Sequence, residues 1–485
     1  MNPTYEHHRH TTIDPEALLS QLPVAAATAH AAVSEQEEDD EHSLPDFRDR
    51  LERSLRILEP VGSLVRDQGH PVARRALTAV VTDRQNIDFG NRASALLRKL
   101  SGVERDLLRR VLVVTGHYES YINARGVVSR KRAIDRKFTP RFHIIASAEQ
   151  IFAILGGMKV HYKECKTPPP PEAFNDIEDM LHALLMTPSG GVLGEAPNPG
   201  GFHFAPDFPQ YFSAQLRKHS SEVQPMPRVT TLSDIPEEYA FIAIHQMFET
   251  LLFGVHQSLT NASSSTDHAN GESIFIATRH LEAAAKLFPV LRKMISNDAF
   301  RETIRSCFVV ASAAQSTQYH AVQHQIGLPE SYEPGQYRMQ LLHMIGQHAV
   351  ADIEQRTEGA ESLCLQHQTI DDPKIPTEIR RLVLANLRLK AAHGHLVCSY
   401  LDPTEPGSAG TQFTSYFAHG IAIPHHCAVF TPAEKELIKT LADKAVHRPS
   451  DPKKPQQTDC FEAIVQHLGT MSTNVPDSVF ATVAQ

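Results

Sequence analysis

The stretch Phe241-Ile-Ala-Ile-His-Gln-Met-Phe-Glu-Thr-Leu-Leu-Phe253 decides how the rest of the chain reads. Its apolar residues recur with the period of an α-helix and not with the alternation of a strand. At about 100° per residue, Phe241, Phe248 and Leu252 share one face, and His245 lies within it. An imidazole on that face is buried, and a buried polar ring needs a partner. By pattern alone two readings stand: a core histidine bonded to a backbone carbonyl, or a histidine that does chemistry.

Two more segments downstream carry the same mixture of helical periodicity and polar groups. Phe300-Arg-Glu-Thr-Ile-Arg305 precedes Ala311-Ser-Ala-Ala-Gln-Ser-Thr-Gln-Tyr-His320, which runs on to Gly327. The small residues Ala311 to Ala314 allow something bulky to approach closely, and helix packing explains them as well as a flat macrocycle does. The third segment runs from Leu382 to Leu401, followed by Gly407-Ser-Ala-Gly410. His393 there shares a face with Leu382, Leu389, Val397 and Tyr400, while His395 points elsewhere. A neutral imidazole projecting from an apolar helix face is what a five-coordinate haem iron needs on its proximal side. A structural histidine is the alternative. The glycine loop downstream brings backbone N–H groups and the Ser408 hydroxyl within reach of a ligand.

Helical periodicity extends outward from these segments, so the fold class is all-α. From Leu44 to about Lys166 it shows in Leu51, Leu55, Ile57, Leu58 and again in Leu107, Leu108, Val111, Val113. The run Pro168 to Pro171 is expected to end this unit as a stiff spacer. A helix with Ile177, Met180, Leu181, Leu184 and Leu185 on one side follows, then a Gly- and Pro-rich loop, Pro188 to Pro209, suited to lining or covering a site. The sequence divides into a disordered tail over 1–44, an N-terminal helical region over 45–220, a main domain over 221–475 and a C-terminal tail over 476–485. The tail assignment rests on its Ala, His and acidic content, ending in Glu35 to Glu41.

The bulk composition excludes several classes. With 485 residues, 41% hydrophobic and 21% charged, the chain reads as an ordinary globular protein. No apolar run is expected to cross a bilayer, and the polar start Met1 to His10 is no secretory signal. A net charge of −9 argues against a nucleic-acid partner. The basic stretch Arg125 to Arg141 reads first as a solvated face and second as a phosphate site. The six cysteines (Cys165, Cys307, Cys364, Cys398, Cys427, Cys460) form no C-x-x-C pair, which excludes a zinc ribbon and a c-type haem attachment. They fit reduced thiols in a cytoplasmic protein. Cys398 diverges from His393 by about 140° on an ideal helix and reads as a packed core thiol rather than a haem thioether. Twenty-eight histidines keep metal or haem ligation in play.

Taken together, these segments resemble the tryptophan/indoleamine dioxygenase superfamily. Phe241-Ile-Ala-Ile-His245-Gln246 with Glu249 resembles the signature F-I-I-x-H-Q-x-x-E-L. Ser312-Ala-Ala-Gln315-Ser316-Thr-Gln318-Tyr319-His320 resembles S-G-F-Q-S-x-Q-[FY]-R, and His393-x-x-x-Val397-x-x-Tyr400-Leu401 resembles H-x-x-x-V-x-x-M-L. Gly407-Ser408-Ala409-Gly410-Thr411 stands where such enzymes have G-T-G-G-S. The likeness covers roughly residues 225–430, with four individually degenerate motifs in the right order.

The resemblance implies a helical haem-binding bundle of tryptophan dioxygenase type, with an extra N-terminal helical region. It implies haem b with His393 as axial iron ligand and His245 on the distal side as the catalytic residue. Phe241, Arg305, Tyr319, His320 and Ser408 become the candidate substrate-binding residues. Ser408 matches the threonine whose hydroxyl meets a substrate ammonium. One departure matters: the carboxylate-gripping arginine of tryptophan dioxygenases falls at His320, and histidine cannot offer arginine's two-point fork. Arg305, in Phe300-x-x-x-x-Arg305, resembles the arginine that indoleamine dioxygenases use. Otherwise the substrate lacks a free carboxylate or the activity has diverged.

The implied partners are a small aromatic substrate and dioxygen, with no nucleic acid and no membrane. Relatives form homo-oligomers through N-terminal segments, and nothing in the sequence fixes the assembly here. Three functions are carried forward. The first is a haem-dependent oxygenase of tryptophan or another indole. The second is a haem-dependent hydroxylase of a tyrosine-like phenol, using dioxygen or peroxide. The third is a non-catalytic haem-binding or interaction protein.

Overall fold

In the computed structural model the described residues are 14–38, 44–66, 70–81, 84–115, 140–185, 231–233, 235–264, 269–307, 316–327, 375–401, 431–446 and 462–468, with isolated positions within 350–363. Among them every regular element is helical, as the periodicity predicts.

The chain opens with α1 (Pro15–Glu38) and α2 (Leu44–Arg66). Leu18, Leu22, Ala25, Ala29, Ala32 and Gln36 are buried on α1; Phe47, Leu51, Ser54, Leu58, Val61 and Val65 are buried on α2. Both sets follow alternating steps of four and three residues, the spacing that keeps one seam facing a partner helix. This corrects the expected disorder over 1–44, since 15–38 is a packed helix. The alanines that look non-committal in composition are strong helix formers, and their small side chains let α1 lie close on α2. By length and composition α1 is also apolar enough to cross a membrane, where the sequence reading expects no such run. Its apolar seam packs on α2 as that of a core helix does.

Around this hairpin stand α3 (Pro71–Val81), α4 (Arg84–Leu97) and α5 (Gly102–Val114). His30 of α1 stacks on Phe89 of α4 with centroids 4.4 Å apart. Arg110 of α5 makes a two-point bond to Glu59 of α2, both contacts 2.7 Å. Both side chains are about half exposed, so the pair fixes register more than it stabilises.

The second set of mutually packed helices is α6 (Pro140–Glu164), α7 (Pro171–Leu185), α8 (Pro236–Ser264), α9 (Ala269–Met294), α10 (Thr317–Ile326) and α11 (Ile375–Tyr400). Its membership differs from the expected division at residue 220, because α6 and α7 pack on α8 and α9. The proline run is likewise a turn between two helices in contact, not the end of a unit. Lys293 of α9 reaches Asp176 of α7 at 2.6 Å, and Arg279 one stretch earlier donates to the Ala183 carbonyl, so α7 and α9 run antiparallel. Arg380 of α11 pairs with Glu434 of α12 (Pro432–Val446). Thr431 and Glu434 form a capping box at the start of α12.

Two polar contacts set how α6 meets α8 and α9. His280 on α9 is fully buried; its Nδ1–H donates to the Ile276 carbonyl at 2.8 Å, so its Nε2 accepts from the Ser147 hydroxyl of α6 at 3.0 Å. Gly254 of α8 lies directly under that ring, and a Cβ there would overlap it. Asn261 of α8 donates to His143 Nε2 of α6 at 3.2 Å. Burial holds His143 and His280 neutral, lowering each to about 4.

Candidate functional site

The helix α8 is long because its interior, Ala240 to Leu252, contains neither Gly nor Pro, and most of those side chains are buried. Its start is tied down by Glu238, which accepts the backbone N–H groups of Leu232 and Ser233. Two turns on, the Nδ1–H of His245 donates to the Phe241 carbonyl at 2.7 Å. That assigns the tautomer: Nδ1 carries the proton and Nε2 is an acceptor. Burial lowers His245 to about 4, outweighing the carbonyl bond that favours the charged form.

His393, on α11, is pushed down to about 3, first by burial and then by the nearby His245. A charge on His245 therefore disfavours one on His393. Both keep part of their surface accessible although protein surrounds both rings. Between them stands α9, which packs on α8 and on α11. Its Phe288 lies 5.0 Å from the His393 ring at an interplanar angle of 17°, and 4.5 Å from Phe248. Phe248 in turn lies 5.9 Å from His245, and Phe241 lies 4.1 Å from it. The two sequence-predicted histidines thus border one aromatic cluster.

A second arm of the cluster leaves from Phe241. Phe300 lies 6.4 Å from Phe241 and stacks on Tyr400 of α11 at 4.5 Å. Phe300 belongs to a π-helical turn, Ala299–Ile304, closed by the Arg305 N–H donating to the Phe300 carbonyl. The two residues of the Phe300-x-x-x-x-Arg305 pattern are therefore the two ends of one backbone bond, and such π-turns recur at functional sites. Arg305 itself is half-buried. The Tyr400 hydroxyl, which burial raises to about 12, points at the α9 terminus, 2.9 Å from the Ile295 carbonyl and 3.2 Å from that of Leu291.

Tyr319 and His320 sit on α10, half-buried and buried respectively, their rings meeting edge-on at 5.3 Å. Ser316 caps this helix by accepting the Tyr319 N–H at 3.0 Å. Reciprocal amide bonds between Gln323 and Asn386, at 2.9 and 3.1 Å, hold α10 on α11. Gln325, bonded to His256 at 2.9 Å and to Thr260 at 2.9 Å, holds α10 on α8 three turns beyond His245. His320 thus occupies a helix separate from those of the histidine pair. Ser408 and the glycine loop lie outside the described residues, as do Pro188 to Pro209, most of the basic stretch and the 476–485 tail.

Two residues near His393 escape the sequence reading. Phe288 is one, since nothing local marks a contact between α9 and α11. Lys390 is the other: it is buried one turn before His393, and burial lowers it to about 7. The three-residue step from Lys390 to His393 is the signal that finds it.

The chemistry of His393 is compatible with a histidine-held haem. His393 is neutral across the working pH range, as a ligand must be. Stacking occupies the face of its ring, whereas coordination takes place at an edge nitrogen. Lys390, which burial lowers to about 7, would be drawn back to its charged form beside a propionate. Among the described residues no group of three or more His, Cys, Asp or Glu could hold a bare metal ion. Cys398 is a half-buried thiol packed against the core. Compared with known protein families, curated proteins and solved structures, the chain matches none of them.

Proposed function

We propose that the chain is a haem-dependent oxygenase, of tryptophan dioxygenase type in fold, that inserts oxygen from dioxygen into the indole ring of tryptophan or a related indole. The observation that carries this reading is the convergence of His245 and His393 on one buried aromatic cluster, each held neutral. Haem, when bound, supplies an iron that binds and activates dioxygen. His393 would hold that iron and Lys390 would face a propionate. His245 offers an acceptor, Nε2, to a donor N–H on the substrate, which both orients the ring and takes up a proton if one is released. Phe241, Phe248 and Phe300 supply apolar surface that excludes water and suits a flat aromatic ring. Arg305, tied to Phe300 by the backbone bond that closes the π-turn, is the candidate partner for a substrate carboxylate, a role His320 cannot fill with one bond at a time.

The acceptor character of His245 equally suits a phenol O–H, which favours hydroxylation of a tyrosine-like phenol as the second reading. Supplying peroxide in place of dioxygen separates the two, because a dioxygenase gains nothing from it.

The deciding experiment is the optical spectrum of haem-supplemented protein, ferric and ferrous, beside His393→Ala. A Soret band of histidine-ligated haem that is lost or shifted in the variant supports the proposal. A folded, helical wild type without haem would overturn it and leave an interaction protein.

A further inference from the structure

We infer that Phe288 is the positioning residue that fixes the plane of the His393 imidazole, an inference that rests on the haem reading above. The geometry comes from three helices. Phe288 on α9 stacks almost parallel to His393, 17° between planes at 5.0 Å. Its other neighbour is Phe248 of α8, at 4.5 Å and 37°. The ring therefore touches the helix that carries His245 while it stacks on His393.

The register that brings these rings together is itself locked. Phe288 meets His393, and Leu291 and Ile295 meet Tyr400, so α9 and α11 advance in the same direction by the same seven-residue step. The Tyr400 hydroxyl faces the carbonyls at the end of α9, and Arg292 lies over the Tyr400 ring, 5.1 Å from its centroid. Sliding either helix by one turn would break both ends of this arrangement at once.

A flat partner matters because the torsion that turns an imidazole about its own axis is soft. Terminal torsions between tetrahedral and planar carbons have broad minima, so helix backbone alone leaves the ring plane loosely defined. Stacking on Phe288 removes that freedom before any ligand arrives. Outer contacts of this kind set how a histidine presents its nitrogen to a metal. A leucine at 288 would fill much of the volume without offering a flat face.

The test compares wild type with Phe288→Leu, Phe288→Tyr and Leu281→Ala, each with and without haem. In the haem-free protein, NMR signals of the His393 ring protons are displaced by the Phe288 ring current. We expect this displacement to vanish in Phe288→Leu and to survive in Phe288→Tyr. In the haem-loaded ferrous protein, the iron–histidine stretching band is expected to be single and narrow in wild type, broadened or shifted in Phe288→Leu, and restored in Phe288→Tyr. Leu281→Ala, which removes a fully buried side chain elsewhere on α9, should lower the melting temperature and leave both signatures unchanged. Ring signals and a stretching band in Phe288→Leu identical to wild type would overturn the inference. A wild type that takes up no haem would overturn the haem reading instead, and the haem-free ring signals would still decide whether Phe288 orients His393.

Discussion

The Nδ1–H of His245 is committed to the carbonyl of Phe241, 2.7 Å away, one turn earlier on the same helix. The other nitrogen can therefore only accept. A substrate that uses His245 must bring a donor, either an indole N–H or a phenol O–H. Methylating that donor leaves a buried acceptor without its bond, at a cost of about 1–3 kcal/mol. N-methylated indoles should accordingly show kcat/KM about fivefold to 150-fold below the parent compound. His245→Ala should erase the difference between the two. Equal turnover of methylated and parent substrates by wild type would remove His245 from substrate recognition.

The same burial sets a pH signature with a definite sign. His143, His245 and His280 are lowered to about 4 and His393 to about 3, whereas an unfolded histidine titrates near 6.5. Between about pH 6.5 and 4 the unfolded chain binds protons that the native chain does not. Stability is therefore present in full above 6.5 and lost as the pH falls through that window. Urea unfolding at pH 7, 6 and 5 should show a steadily falling midpoint. His143→Gln, which keeps a hydrogen-bonding side chain but cannot titrate, should reduce the slope by up to about one proton. In the pH range where the protein is still folded, turnover should lack the acid limb near 6.5 that an ordinary histidine would give.

What was legible in the sequence followed from local periodicity. His245 and His393 could be read because each sits on a long apolar helix face whose phase survives from sequence to structure. The tautomer of His245 is set within its own helix, by the bond to the Phe241 carbonyl, whereas the depth of both rings depends on how α8, α9 and α11 meet, which no local pattern encodes. Phe288 is the clearest case, since as one apolar residue among many on α9 it has no mark of its contact with His393. The N-terminal segment is hard to read for the opposite reason. Its steps of four and three were present, but alanine at the seam contributes little hydrophobic signal, so composition pointed to disorder. The grouping of α6 and α7 with α8 and α9 escapes the sequence because a proline run reads the same whether it separates two units or turns between neighbours.

Gly254 offers a test of the packing around the second buried histidine pair. A methyl group there would overlap the His280 ring and push it off Ser147 and Ile276. Overpacking of this kind costs about 1–3 kcal/mol. Gly254→Ala should therefore lower the unfolding midpoint clearly. In a His280→Ala background the obstruction is gone, and the same substitution should become neutral or stabilise by up to about 1 kcal/mol through helix propensity. An equal loss in both backgrounds would mean that His280 is not what Gly254 accommodates.

The packed status of α1 can be tested with two alanines two residues apart. Ala29 is fully buried in the seam against α2, and Ala27 faces solvent. A carboxylate at position 29 would lose its hydration in an apolar seam, a cost that either detaches α1 or raises the carboxylate's affinity for a proton. Ala29→Glu should thus make residues 15–38 susceptible to limited proteolysis and expose the α2 seam around Leu51 and Leu58, with self-association as a consequence. Ala27→Glu should stay within about 0.5 kcal/mol of wild type and resist the protease. A disordered tail would make no distinction between the two positions: both variants, and wild type with them, would be cut at the same rate. Protection that depends on which alanine is replaced requires a helix with one buried face.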